Sequence, residues 1–440
     1  MTMGRRVFVK HGALALLAMG LPPEVLLRPL MAGTVGAARK KTLICIFQRG
    51  AVDGLSMVVP FGDDAYYRVR SNIAIQAPRR GDGSSALDLD GHFGLHPSLQ
   101  PLHEIFLRGE LSIVQAVGSP HPSRSHFDAQ DFMETATPGV KSTREGWLNR
   151  VLQSTDCREC NGRTLHDPSA HAADHAAGQA GMGSSGLATL RGVAMASALP
   201  RSLAGEHPAL AIPDLDRFGV AGGMDASFQR LYRTEGGDAV TSAADDAFEA
   251  IRVLDGVDPT RYAPANGADY PNGDFGRSLR QIAQLIKSDV GVEIAFVDLG
   301  GWDTHVGQGG AQGQLANRLT ELSSGIAALY VDLGDRMEDV VILTMSEFGR
   351  TVSENGSGGT DHGHANVMLA LGGPVDGGRI LGDWPGLERE QLYEGRDLAL
   401  TTDFRDVFSE IAQGHLGAAE LDKVFPDYRV DRARWRGVLR

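Results

Sequence analysis

The stretch Thr42-Leu43-Ile44-Cys45-Ile46-Phe47-Gln48 (TLICIFQ, residues 42–48) runs directly into Arg49-Gly50. It is almost continuously apolar and lacks the two-residue alternation of a half-exposed strand. A strand buried on both faces reads this way. Four further runs share the character: Leu111 to Val117, Val292 to Leu299, Val340 to Met345 and Val367 to Leu371. Helical patterns lie between them. Leu315, Leu319, Leu322, Ile326, Leu329 and Leu333 recur every three or four residues and form one stripe on a long helix. Leu279, Ile282 and Ile286 mark a second helix, and Leu99, Leu102 and Phe106 a shorter one. Strands alternating with helices predict an α/β fold, a three-layer α/β/α sandwich around a mostly parallel sheet.

The 440 residues carry 42% hydrophobic side chains, too many for a disordered chain and enough for a large core. The 56 glycines follow no three-residue period, which excludes collagen and places them in loops over a regular scaffold. A net charge of −13 argues against a general nucleic-acid binder, and three cysteines cannot build a disulfide framework.

Residues 1–38 read as an address. Gly4-Arg5-Arg6-Val7-Phe8-Val9-Lys10 precedes the apolar stretch Gly12 to Leu21, and Val35-Gly36-Ala37 offers a small-residue cleavage site. The pattern is that of a twin-arginine export signal. Pro22, Pro23, Glu24 and Arg28 cut the apolar run short of the ~20 residues a membrane span needs, so no stable anchor is expected after signal removal. The expected product is a periplasmic or secreted protein, with residues 39–440 as one domain. Within it, about 156–186 is rich in Gly, Ala, Ser and His and reads as an exposed insertion. Cys157 and Cys160 with His166, His171 and His175 form a weak metal or disulfide signal there, and a redox role lacks any thioredoxin-like context.

Open parallel sheets bind ligands beyond the carboxyl ends of their strands. Four of the five runs have polar residues there: Arg49 to Gly54, Ser123-Arg124-Ser125-His126-Phe127-Asp128, Gly300 to His305, and Ser346 to Arg350 followed by Asp361-His362-Gly363-His364. Asp, Glu and His at several strand ends form a donor set for zinc, manganese, magnesium or calcium. Each element also has a structural explanation. Asp53-Gly54 is a common turn pair, and Ser125 with Asp128 is a helix-capping arrangement. Trp302 is suited to closing the core. Asp303 with His305, and Glu347 with Arg350, are placed for local ion pairs. Their convergence on one sheet edge favours a metal site.

The segments RGAVDGLSMVVP, GLHPSL, SRSHFDAQDFME, GWDTH, TMSEFGRT, GTDHGHAN and TTDFRDVF, in this order, resemble the bacterial family of domain of unknown function 1501. That family looks like a branch of the alkaline phosphatase and sulfatase superfamily. The resemblance implies an alkaline phosphatase-like sandwich with metals at the strand ends and a nucleophile at a helix start. Carried over, Asp53 would match the acidic ligand after the first strand, and Ser125 the nucleophile, with Ser123 the second choice. Asp303 and His305 would match the metal-binding Asp and His, although with one residue between them rather than three. Ser346-Glu347 falls where the superfamily places Asp-His, and His364 resembles the last ligand histidine.

The expectation is therefore an exported hydrolase of phosphate or sulfate esters acting on a small ester or carbohydrate-linked substrate. Asp53, Asp303, His305, Glu347, Asp361, His362 and His364 are the candidates to hold one or two divalent ions. Ser125 or a bound water would attack, and Arg350 or Arg124 would steady the anion. The alternative is a catalytically degenerate member that binds carbohydrate or protein around a structural metal.

Overall fold

The computed structural model describes residues 39–155, 190–215 and 262–440. The expected export signal at 1–38 and the expected insertion at 156–186, with Cys157, Cys160 and its histidines, lie outside the described residues. Nine strands form the central sheet: β1 (Thr42–Arg49), β2 (Leu111–Gly118), β3 (Gly192–Ala194), β4 (Leu210–Ala211), β5 (Ile294–Gly300), β6 (Val340–Met345), β7 (Asn366–Leu371), β8 (Arg379–Leu381) and β9 (Thr402–Asp403). Their order is β8-β2-β7-β6-β1-β5-β3-β4, with β9 pairing β2. The main helices are α1 (Gln100–Leu107), α2 (His126–Thr135), α3 (Trp147–Thr155), α4 (Asp274–Lys287), α5 (Gln314–Leu333) and α6 (Phe404–Ile411).

β1 lies between β5 and β6 and is parallel to both, with Ile44 opposite Ala295 and Ile342. Its alternate residues feed two separate cores, as a strand covered on both faces must. Ile44 and Ile46 pack with Leu102 of α1, Leu279 and Ile282 of α4, and the whole leucine stripe of α5. Leu43, Cys45 and Phe47 pack with Trp147 and Val151 of α3 and with Phe404 and Phe408 of α6. Trp147 stacks on Phe408 with ring centroids 4.3 Å apart. The result is the expected three-layer α/β arrangement.

Within the central sheet the strand pairs are parallel except those of β7, which is antiparallel to both β2 and β6. That reversal matters for the site. Segments that follow β1, β2, β5 and β6 leave from one edge of the sheet, and the segment that precedes a reversed β7 arrives at the same edge. The short strands β3, β4, β8 and β9 have too few residues to show any periodicity in sequence. No helix among the described residues is long and apolar enough to cross a membrane.

Candidate metal centre

The loop after β1 turns at Gly50, whose φ of +114° favours glycine and whose added Cβ would lie 2.8 Å from the Asp303 amide. Its own N–H donates to Glu347 Oε1 at 2.9 Å. After β5, Trp302 is fully buried and its indole N–H donates to the Leu299 carbonyl at 2.7 Å. That anchor leaves the next residue, Asp303, with a side chain 45% exposed at the edge.

Four donor atoms converge on that edge. His126 Nε2 lies 3.0 Å from His362 Nε2 and 3.5 Å from Asp303 Oδ1. His305 Nε2 lies 2.9 Å from His362 Nε2 and 3.0 Å from Asp303 Oδ1. His362 Nε2 is 3.3 Å from Asp303 Oδ1. The donors of His126, Asp303 and His362 all lie within 4.8 Å of one another, close enough to share one ion.

The far nitrogen of each ring is also engaged. His126 Nδ1 is 2.8 Å from Glu347 Oε1, His305 Nδ1 is 3.0 Å from Asp361 Oδ1, and His362 Nδ1 is 2.8 Å from the Arg124 carbonyl. A carboxylate or carbonyl oxygen only accepts, so the hydrogen-bond network assigns the ring proton to each Nδ1. With the proton on Nδ1, each ring in its single-proton form turns an Nε2 lone pair toward the anionic Asp303 oxygen and its neighbouring rings. Lone pairs at such separations repel unless a cation or a shared proton lies between them. A divalent cation answers the mutually close donors of His126, Asp303 and His362 at once, with His305 beside two of them, so the residues present fit a metal.

The shifts at Asp303, Glu347 and His362 favour the metal-binding forms, whereas that at His126 favours the protonated ring, whose second proton a cation would displace. The Glu347 hydrogen bond raises the His126 pKa above the ordinary histidine value despite partial burial. Burial lowers that of His362. Burial pushes the Asp303 carboxyl up, but the hydrogen bond and charge of Arg350, with His305 and His126, outweigh it and hold Asp303 below the usual carboxylate range. Glu347 follows the same pattern, with His126, Gln130 and the Gly50 amide overcoming its burial.

The structure redistributes the other expected roles. Asp53 is not among the converging donors. It is buried, with both oxygens held by Arg70 at 2.6 and 3.0 Å and further bonds from Ser56 and Gln308. A carboxylate neutralised by a buried guanidinium is a supporting element rather than a ligand. Gln308 links it to the site, because the Gln308 side-chain oxygen accepts from Thr304 and Thr360, which adjoin Asp303, His305 and Asp361. His364 is buried and stacks on Tyr393 at 4.3 Å, away from the donor group. Glu347 and Asp361 hold histidines from behind.

Arg350 does not pair with Glu347. Its guanidinium donates to Asp303 at 2.6 Å and to the carbonyls of Gly50, Ala51, Trp302 and Thr360, so from a fully buried position it fixes the ligand loops. Arg124 is tied to Asp397 and Glu394. Ser125 is the N-cap residue of α2, but its hydroxyl makes no cap bond, and Asp128 pairs with Lys141. Sequence reasoning missed His126 as a donor. Its only signal was its place directly after Ser125, at the first helical position.

The strap carrying His362 is pinned by reciprocal bonds between Gly349 and the 363–364 segment: Gly363 N–H donates to the Gly349 carbonyl and Gly349 N–H to the His364 carbonyl, both at 2.8 Å. A Cβ on Gly363 would lie 2.4 Å from the Arg350 carbonyl oxygen. Gly363→Ala is expected to cost about 1–3 kcal/mol of stability through overpacking, read by denaturant unfolding, and to displace His362 and weaken metal binding.

The sheet, its covering helices and this donor cluster define a mostly parallel α/β protein with a candidate metal centre at the carboxyl edge of its strands. The chain belongs to the family described as protein of unknown function (DUF1501), which it matches over residues 40–425. No curated protein matches it. Among solved structures it is similar to Ps i-CgsB in complex with k-i-k-neocarrahexaose, at 12% identity and a TM-score of 0.36, covering 88% of this chain and 74% of that one. It is also similar to PsFucS1 sulfatase from Pseudoalteromonas sp., at 11% identity and a TM-score of 0.33, covering 78% and 64%. Likeness at this level leaves activity to be argued from the site.

Proposed function

We propose that the chain is an exported, metal-dependent hydrolase of phosphate or sulfate esters, acting on a small or carbohydrate-linked ester. The observation that carries this reading is the convergence of the His126, His305 and His362 Nε2 atoms with Asp303 Oδ1 at an edge open to solvent, where His305 and Asp303 are 39% and 45% exposed. A divalent ion held there would polarise the ester oxygen and lower the pKa of the attacking hydroxyl or water. Ser125 supports the reading. It is exposed, lies between Arg124, whose carbonyl holds His362, and His126, and carries a hydroxyl not committed to capping. The first turn of α2 presents backbone N–H groups without intrahelical acceptors, and its dipole favours an anion. Arg350 keeps Asp303 aimed at the donor group. Export through the twin-arginine route belongs to the same proposal and rests on Gly4–Lys10 and the apolar stretch after it.

The test is a panel of aryl phosphate and sulfate esters assayed with zinc, manganese, magnesium and calcium. Metal-dependent turnover is expected. Ser125→Ala should cut kcat more than about a thousand-fold if the serine is the nucleophile, and should spare it if water attacks. Absence of turnover with every ion and both ester classes would overturn the hydrolase and leave the binding module as the reading.

A further inference from the structure

We infer that His126, His305 and His362, together with Asp303, form a single three-imidazole, one-carboxylate site that selects a zinc-class ion over magnesium and calcium. This rests on the metal-dependent reading above and fixes what that reading leaves open, the number and class of the ion. Three of the four donors are imidazole nitrogens, which suit zinc and its late-transition neighbours, whereas magnesium and calcium require shells of oxygen. Zinc–nitrogen bonds of roughly 2.0–2.1 Å at a tetrahedral angle put nitrogens about 3.3 Å apart. The Nε2 of His362 stands 2.9 and 3.0 Å from those of His305 and His126, just inside that spacing. The donors of His126, Asp303 and His362 lie within 4.8 Å of one another, and His305, 3.0 Å from Asp303 Oδ1, would turn in to complete the set.

The outer partners are built for the same purpose. Glu347 is fully buried and accepts a hydrogen bond from His126 Nδ1, while Ser346, Gln130 and the Gly50 amide fill its other positions. On the far side, Asp397 is fully buried and clamps Arg124, whose carbonyl holds His362 Nδ1, and Arg396, whose guanidinium donates to the His362 carbonyl. Carboxylates behind ligating histidines fix ring orientation and raise ligand basicity. Among the described residues a second ion lacks donors: Asp53 is held by Arg70, His364 stacks on Tyr393, and no other group of three suitable side chains occurs.

The test titrates the chelator-stripped full chain with zinc in the presence of millimolar magnesium and calcium, and follows the visible spectrum of the cobalt(II) form. One equivalent of zinc that magnesium and calcium do not displace, with the intense visible bands of low-coordinate cobalt, is the expected result. Glu347→Gln should weaken zinc binding by about 10–100-fold while the metal-free protein keeps its melting temperature. If that buried change unfolds the chain, Asp361→Asn, at an exposed position, tests the same role on His305. Zinc readily displaced by magnesium or calcium, or more than one tight equivalent, overturns the inference and leaves the hydrolase reading standing. No bound ion at all overturns both. Tight single-site zinc without ester turnover sustains the inference and removes the hydrolase.

Discussion

Asp53→Asn is expected to lower the unfolding free energy by about 3–5 kcal/mol, the cost of leaving one partner of a buried ion pair without its counter-charge. Arg70 is fully buried, and beyond Asp53 its guanidinium reaches only Ser56 and the carbonyls of Thr351 and Val352. An amide in place of Asp53 returns neither the charge nor the paired geometry of a carboxylate facing a guanidinium. Equilibrium unfolding in urea measures the loss. A double variant, Asp53→Leu with Arg70→Met, should recover part of it, because no buried charge then remains unpaired.

The same pair sets an acid limit. Burial pushes the Asp53 carboxyl up, but Arg70, Ser56 and Gln308 together outweigh it and hold its pKa below the ordinary 3.8. The unfolded chain therefore binds the proton more readily than the folded one. The stabilisation is fully present above that ordinary value and is lost as pH falls below it toward the folded value. Relative to the wild type, Asp53→Asn should show a flatter decline of stability below about pH 4. An unchanged unfolding free energy at neutral pH would show that the pair contributes nothing.

His362→Ala is expected to abolish metal binding, with an affinity loss beyond the ~100-fold that outer partners command. Its Nε2 is the central atom of the cluster, 3.0 Å from His126 Nε2, 2.9 Å from His305 Nε2 and 3.3 Å from Asp303 Oδ1. Truncation removes one ligand and empties the middle of the arrangement. The strap itself is held by backbone bonds of Gly363 and His364 to Gly349, so the fold should survive. Two measurements check this. Metal content after dialysis should fall to background. Saturating zinc, which at a hundred times Kd stabilises a binding protein by about 2.7 kcal/mol, should raise the melting temperature of the wild type and leave the variant unmoved. Retained stoichiometric metal in His362→Ala would place the ion elsewhere.

Much of the architecture was legible because it follows from local chemistry. The buried runs at β1, β2, β5, β6 and β7 and the leucine stripe of α5 record burial directly, since a strand covered on both faces has no polar face and a helix against a sheet has one apolar stripe. The polar segments at the strand ends were legible for the same reason. The partition of roles within them was not. Asp53, Asp303, Glu347 and Asp361 look alike in sequence, and only three-dimensional neighbours distinguish them. Arg70, 17 residues from Asp53, converts that carboxylate into a structural anion. His126 stands behind no recognisable spacing because its fellow donors lie far away along the chain; the contact to His362 spans 236 residues.

The amino-acid order alone determined a layered α/β chain, a net negative charge and the edge where polar groups collect, because periodicity and composition are written along the chain itself. Tertiary structure decided which of those groups meet. The reversal of β7 delivers His362 to the edge reached by β1, β2, β5 and β6, and the arginines at 70 and 350 settle which carboxylates are neutralised or held in place. Long-range pairing is an energetic outcome of the whole fold, and no local pattern encodes it.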